Sequence, residues 1–242
     1  MLGVELAARG QDVVVAVAHR HSRPDTSAAV DAMLAAGVGR VVMLPLYPQH
    51  SDCTTGSSEV ELRRTLSEYG ADLPLTIIRS WCRHPSYLAA QAQLVDEMLA
   101  GIPGKSLSTA LLVFSAHGLP QRIVDGGDPY PEEIRTTVAG VMSRVQRPVD
   151  HVIAYQSRSG PIRWIGPDVG EVIATAASDS RTWLGVVPIS FVSDHVETLY
   201  EIDIEMKDHA AAVGIDNFHR SRCLGIDPIV GPMLADIVQE VL

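Results

Sequence analysis

Glu197, Glu201 and Glu205 recur every four residues at the end of the stretch that runs from Phe191 to Glu205. On a helix they share one face and climb about two turns, roughly 12 Å. Like charges at that spacing repel weakly, and the only lysine nearby is Lys207. A row of hard oxygen ligands headed by His195 suits a divalent metal ion that is caught and handed inward. A solvated acidic face at a helix start has the same spacing, with Asp194 and Glu197 favouring the N-terminal dipole. The rest of the chain has to decide between the two.

His117 is the next residue that could do chemistry. It follows an apolar run directly and precedes Gly118-Leu119-Pro120, a sequence that fixes its backbone in a tight turn. A histidine at a strand end often does no more than hydrogen-bond. A neutral imidazole facing a carboxylate such as Glu197 has two further uses. It can ligate a borderline metal, or it can take a proton from a substrate nitrogen near neutral pH. Other polar clusters are Ala18 to Pro24, which holds His19, Arg20 and His21; Pro45 to Ser51, which holds Tyr47; and Tyr155 to Pro161, which holds Gln156 and Ser157. Tyr47 and Trp164 could stack on a flat ligand or sit in a core. Thr54-Thr55-Gly56-Ser57-Ser58 has the look of a phosphate nest feeding a helix, but it lacks the lysine of a P-loop. No GxGxxG, GxSxG or HExxH motif is present.

These residues need elements to hold them. Met1 to Arg9 reads as the last turns of a helix stopped by Gly10, and 12–18 (DVVVAVA) as a strand buried on both faces. Helices at 25–36, 57–69 and 85–99 then alternate with strands at 40–46 and 73–78. The run 101–106 (GIPGKS) is the best linker in the chain. Beyond it the pattern repeats: strand 109–115, helix 131–145, strand 150–155, helix 167–177, strand 183–189 and the acidic helix. A connection containing Gly214 and Gly225 leads to a last helix at 228–241. This alternation predicts an α/β fold of right-handed βαβ units with parallel sheets, in two similar halves, 1–104 and 105–242. The polar clusters all fall at carboxyl ends of strands, where such sheets bind ligands, and would line a cleft between the halves. Because the chain opens inside a helix, its first half is expected to be one strand short.

Composition narrows the function classes. The formal charge of −10 argues against nucleic acid or an anionic membrane surface as partner. Hydrophobic content of 46% with 20% charged residues is that of a globular protein, and no apolar run is long enough for a membrane span. Cys53, Cys82 and Cys223 are widely spaced, with neither a CxxC pair nor a secreted-type framework, which predicts a cytosolic, cytoplasmic chain.

Taken together, Leu112 to Pro120 (LVFSAHGLP), Gly127 to Tyr130 (GDPY), Tyr155 to Arg158 (YQSR), Trp164 to Pro167 (WIGP) and Phe191 to Leu199 (FVSDHVETL) closely resemble ferrochelatase. So does Pro45 to Ser51 (PLYPQHS), with the Thr-Thr-Gly-Ser-Ser run after it. The resemblance extends from about residue 13 to the C-terminus. It implies two Rossmann-like, chelatase-type halves with the active-site cleft between them. It also implies a lyase that inserts Fe²⁺ into a porphyrin, protoporphyrin IX or coproporphyrin III, to form heme with release of two protons. His117 and Glu197 match the family's catalytic pair. His117, Glu197, Glu201 and Glu205 match its metal-handling row, on a helix with a π-type turn. Arg20, Tyr47, Gln156, Ser157 and Trp164 match positions lining the porphyrin, although the family's Arg-Tyr pair is here Arg20-His21. Ferrous iron is a substrate on this reading, and no cofactor is permanently bound. No iron–sulfur cluster is expected, because Asp52 stands where cluster-bearing relatives have a cysteine and three cysteines cannot complete a four-cysteine site. The family's opening strand and porphyrin-contacting lip are expected to be missing. A chelatase for another tetrapyrrole or metal, or a truncated, non-catalytic porphyrin-binding protein, stays an alternative. The choice of porphyrin, the oligomeric state and a loose peripheral membrane association are left open.

Overall fold

The computed structural model describes residues 1–242 and resolves into two compact units, Met1–Trp81 with Asp227–Leu242, and Cys82–Ile226.

In the first unit, α1 (Leu2–Ala8) ends at Gly10, whose φ of 76° is the left-handed conformation that glycine adopts freely. Helix α2 (Thr26–Ala35) is capped by Asp25, whose carboxylate accepts from the Ala28 N–H at 3.0 Å. Strands β1 (Val41–Met43) and β2 (Leu75–Ile77) pair in parallel, joined through α3 (Ser57–Glu68), which a π-helical turn at Asp52–Gly56 precedes. Val30, Val41, Leu62 and Leu66 form the core between helices and sheet.

The strand expected at 12–18 does not form. The segment makes no ladder with β1 or β2, and Val14, Val15 and Val17 are 51%, 45% and 57% exposed. A β-branched run is a strand only where a neighbour accepts its backbone hydrogen bonds, and propensity alone does not supply one.

The second unit begins with α4 (Pro85–Ala100), followed after a short 3₁₀ turn by β3 (Ala110–His117). Helices α5 (Gln121–Asp125) and α6 (Tyr130–Met142) lead to β4 (Asp150–Gln156), and α7 (Val169–Ser178) leads to β5 (Trp183–Pro188). Next come α8 (Val196–Leu199), a π-helical segment (Glu201–Met206), α9 (Lys207–Ala212) and β6 (Asn217–Arg220). Strand β6 lies within the segment expected from sequence to be plain connection. The last helix, α10 (Val230–Gln239), packs back on α1 in the first unit, where Arg9 Nη1 donates to Asp236 Oδ1 at 2.8 Å.

The four strands are parallel, in the order β4-β3-β5-β6. From β3 the chain crosses to one side, to β4, and then back past β3 to β5 and β6. Right-handed crossovers therefore put α6 on one face and α7 with α9 on the other. On the α7/α9 face, Val113, Ala154, Ile173, Leu184, Val186, Ile202 and Ala210 form one core. On the opposite face α6 packs against α4, where Gly140 leaves room for Leu88, since a Cβ there would lie 2.7 Å from Leu88 Cδ1. The connections diverge at β3. The carboxyl ends of β3 and β5 therefore flank the point where an open parallel sheet presents its ligand site. No helix in the molecule is long and apolar enough to cross a membrane.

Candidate active site

His117 is the last residue of β3. Its N–H donates to Ser190 Oγ at 3.0 Å, in the turn that follows β5, which ties the two strand ends together. Gly118 N donates to the Gln156 carbonyl at 2.8 Å, and a Cβ on Gly118 would stand 2.8 Å from that oxygen. Only glycine lets the ends of β3 and β4 approach so closely.

The acidic helix starts beside this turn. His195 is its N-cap: its Nδ1 accepts from Glu197 N at 3.1 Å while Thr198 Oγ1 accepts from His195 N at 3.0 Å. Arg220, at the end of β6, holds the helix from outside. Its guanidinium donates to both oxygens of Asp203 at 2.8 and 2.9 Å and to Asp194 Oδ1 at 2.7 Å. Past Leu199 the ladder widens, with Glu205 N bonding to Tyr200 O at 3.0 Å, five residues back. The π turn that the resemblance implied is present.

These elements bring His117 Nδ1 to 2.7 Å from Glu197 Oε2. Burial pushes the Glu197 carboxyl up, but the His117 hydrogen bond and charge, the charge of His195 and the Ser157 hydroxyl outweigh it and hold the group below the usual carboxylate range. Glu197 is therefore an anion at neutral pH, and His117 Nδ1 must carry a hydrogen to donate to it. In a neutral imidazole that leaves Nε2 with a free lone pair, for a metal or for a substrate proton. Phe191 packs edge-on against both rings, 6.4 Å from His117 and 4.8 Å from His195, and limits their rotation.

Gln156 and Ser157, expected from the resemblance to line a porphyrin, hydrogen-bond to the two glutamates. Ser157 Oγ lies 3.1 Å from Glu197 Oε2 and 2.8 Å from Glu201 Oε2. Gln156 Nε2 donates to the Glu197 carbonyl at 2.8 Å and to Glu201 Oε2 at 2.9 Å, while its Oε1 accepts from Ser115 Oγ at 2.5 Å. Glu201 therefore joins the His117–Glu197 pair. Glu205 is exposed and further out, on the wall of an open cavity of about 290 Å³ that it shares with Gln156, Ser157, Glu201 and His209. No three His, Cys, Asp or Glu side chains converge into a closed metal site.

Trp164 lies in the same unit, half-exposed beside Pro120, with its indole N–H donating to Ser159 O at 3.0 Å. Arg20 and Tyr47 belong to the first unit. Arg20 is exposed, with Nη1 4.0 Å from Glu61 Oε2, and Tyr47 is 38% exposed. Sequence reading gave no role to Ser115, Ser190 or Arg220. Ser115 carries a signal, a hydroxyl inside an apolar strand that must find a buried partner, whereas Ser190 and Arg220 act through tertiary contacts that no spacing announces.

The family model described as Ferrochelatase matches residues 1–242. The ferrochelatase of Geotalea daltonii is 42% identical over 225 residues, which cover 93% of this chain and 70% of that protein. That of Synechococcus sp. (strain RCC307) is 44% identical over 240 residues, 98% of this chain and 62% of that protein. Among solved structures, SirB from Bacillus subtilis with Fe³⁺ shares the fold, with a TM-score of 0.67 at 14% identity over 98% of this chain and 87% of that one. By the family model and by these relatives, the chain belongs to the ferrochelatase family.

Proposed function

We infer that this chain inserts ferrous iron into a porphyrin to form heme, acting as a lyase with release of two protons. Family membership supports the reaction. The observation that carries the assignment of residues is the 2.7 Å contact between His117 and Glu197 at the carboxyl ends of the strands.

The chemistry sets three demands. The macrocycle must be bent so that its nitrogen lone pairs point at the metal, a strain that binding energy supplies. Two pyrrole protons must leave to a base that works near neutral pH, and the metal must shed its water onto ligands that release it again. On this reading His117 Nε2 accepts a proton, and Glu197 fixes the tautomer and stabilises the imidazolium that results. His117, Glu197, Glu201 and the outlying Glu205 are the metal-handling row. Arg20, Tyr47 and Trp164 are kept as porphyrin-contacting residues on the strength of the resemblance. The iron is substrate and not a resident cofactor.

The strand–helix order that restarts after 101–106 supports two related halves in sequence, 1–104 and 105–242, distinct from the two compact units, in which α4 goes with the second and α10 with the first. Three cysteines that form no disulfide with one another support a cytoplasmic setting. Metal insertion, followed by porphyrin absorbance with anaerobic Fe²⁺ or with Zn²⁺ as a surrogate, tests the function. Turnover by the wild-type chain and its collapse in His117→Ala and Glu197→Ala are expected. A Glu197→Ala variant with wild-type turnover would remove the assignment of residues.

A further inference from the structure

We propose that Ser157 is a positioning residue that clamps Glu197 and Glu201 into a single metal-handling pair, with Gln156 as its rigid backing, and that its hydroxyl serves the metal and not the porphyrin. The inference rests on the reading of Glu197 and Glu201 as metal-handling side chains.

Four observations support it. First, one hydroxyl lies within hydrogen-bond distance of a carboxylate oxygen on each glutamate, 3.1 Å from Glu197 and 2.8 Å from Glu201. Two carboxylates repel, and the single hydrogen of this hydroxyl, donated to one oxygen or the other in turn, offsets that repulsion where the two side chains meet.

Second, Gln156 has no freedom to do anything else. It is 2% exposed, and Ser115 Oγ occupies its Oε1. Its two amide hydrogens are both used, on the Glu197 carbonyl and on Glu201 Oε2. The two acceptors set the orientation of the amide, because the reverse orientation would turn the amide oxygen toward the Glu197 carbonyl and the Glu201 carboxylate, and the Ser115 hydroxyl then donates to the oxygen that is left.

Third, Ser157 has φ of +61°, in the left-handed region that a residue with a Cβ rarely adopts. Glycine would suit the backbone better. A serine kept in that conformation points to a use for its hydroxyl, and the contacts above show what it touches.

Fourth, the turn that carries Ser157 is locked to the turn that carries His117, through Gly118 N bonding to Gln156 O at 2.8 Å. The bond ties the turn that carries the histidine to the turn whose serine meets both glutamates. Glu201 lines the cavity shared with Glu205 and His209 and Glu197 does not, so an ion arriving from that side meets Glu201 before Glu197.

The test uses the full chain with Ser157→Ala and Ser157→Gly, with Zn²⁺ and anaerobic Fe²⁺ as metals. KM is measured for metal and for porphyrin separately, and porphyrin binding is measured by fluorescence quenching. Loss of an outer partner of a metal ligand typically weakens metal handling by about 10- to 100-fold. Both variants should therefore raise the metal KM by about that factor and leave the porphyrin KM within about twofold. Ser157→Gly suits the left-handed backbone, so it separates loss of the hydroxyl from damage to the fold. A raised porphyrin KM with an unchanged metal KM, or no change in either, overturns the proposal. Glu197→Ala run in parallel distinguishes the two levels. If it is inactive while the Ser157 variants keep the wild-type metal KM, only the clamp is wrong. If it keeps wild-type turnover, the site assignment falls and takes the clamp with it.

Discussion

His117 and Glu197 are eighty residues apart in the chain, yet Nδ1 of one lies 2.7 Å from Oε2 of the other. The contact is made by the ends of two secondary-structure elements. His117 closes β3, and Glu197 is in the first turn of α8, which His195 and Thr198 cap reciprocally. The pair is held from three sides: Ser190 on the His117 backbone, Ser157 on the carboxylate, and Arg220 behind the helix start.

The Glu197 contact links stability to pH. Its carboxyl is held below the ordinary value of 4.5, so its stabilising contribution is fully present above that value. It is lost as the pH falls through the lowered folded-state value. Urea unfolding of wild type and Glu197→Gln should show a larger stability gap at about pH 7 than at about pH 3. A gap that stays flat or widens on acidification would contradict the electrostatic account of this pair.

Arg220 is expected to matter more for stability than an ordinary surface arginine. Its side chain is 12% exposed and its fork serves Asp203 and Asp194 together. Arg220→Ala strips Asp203 of its guanidinium and leaves Asp194 with only the Thr198 hydroxyl among these partners, and should destabilise by about 2 kcal/mol. Arg220→Lys keeps the charge and loses the fork, so it should recover only part of that. Denaturant midpoints check both, and a change within about 0.5 kcal/mol for the alanine variant would contradict the clamp.

Gly118 tests the close approach of β3 to β4. Alanine would push its Cβ against Gln156 O and separate the His117 turn from the Ser157 turn, at a cost of about 1–3 kcal/mol. Turnover should fall further than that loss of stability explains, because both turns carry site residues. Rates measured well below the melting temperature separate the two effects.

The thiols should differ in reactivity. Cys53 is exposed, whereas Cys82 and Cys223 are 1% and 6% exposed. Burial, reinforced by the Asp194 carboxylate, pushes the Cys223 thiol up to about 12. Only the thiolate reacts, so maleimide should label one cysteine in the native protein and all three in denaturant. Rapid native labelling of Cys223 would contradict the packing described for β6 and its connection.

Sequence alone carried the alternation of helices and parallel strands, because buried β-branched runs such as those in β3 and β5 differ in period from the helices between them. It placed His117 at a strand end and Glu197 at a helix start for the same reason. It misread 12–18, where Val14, Val15 and Val17 look like a buried strand but find no neighbour to pair with. It missed β6, whose four residues, Asn217 to Arg220, have too few apolar positions to show a period. The partners of Gln156 and Ser157 were not legible either, since a turn sequence does not say which carboxylate it will face across forty residues.

The most direct test of the central claim is metal insertion by the purified chain beside His117→Ala and Glu197→Ala, with porphyrin binding measured in all three. The account predicts turnover above the no-enzyme rate for wild type, a fall of about 100-fold or more in each variant, and porphyrin binding retained. Because the two side chains act as a unit, the double variant should be little worse than either single one. Near wild-type turnover in either single variant would show that the chemistry does not run through this pair.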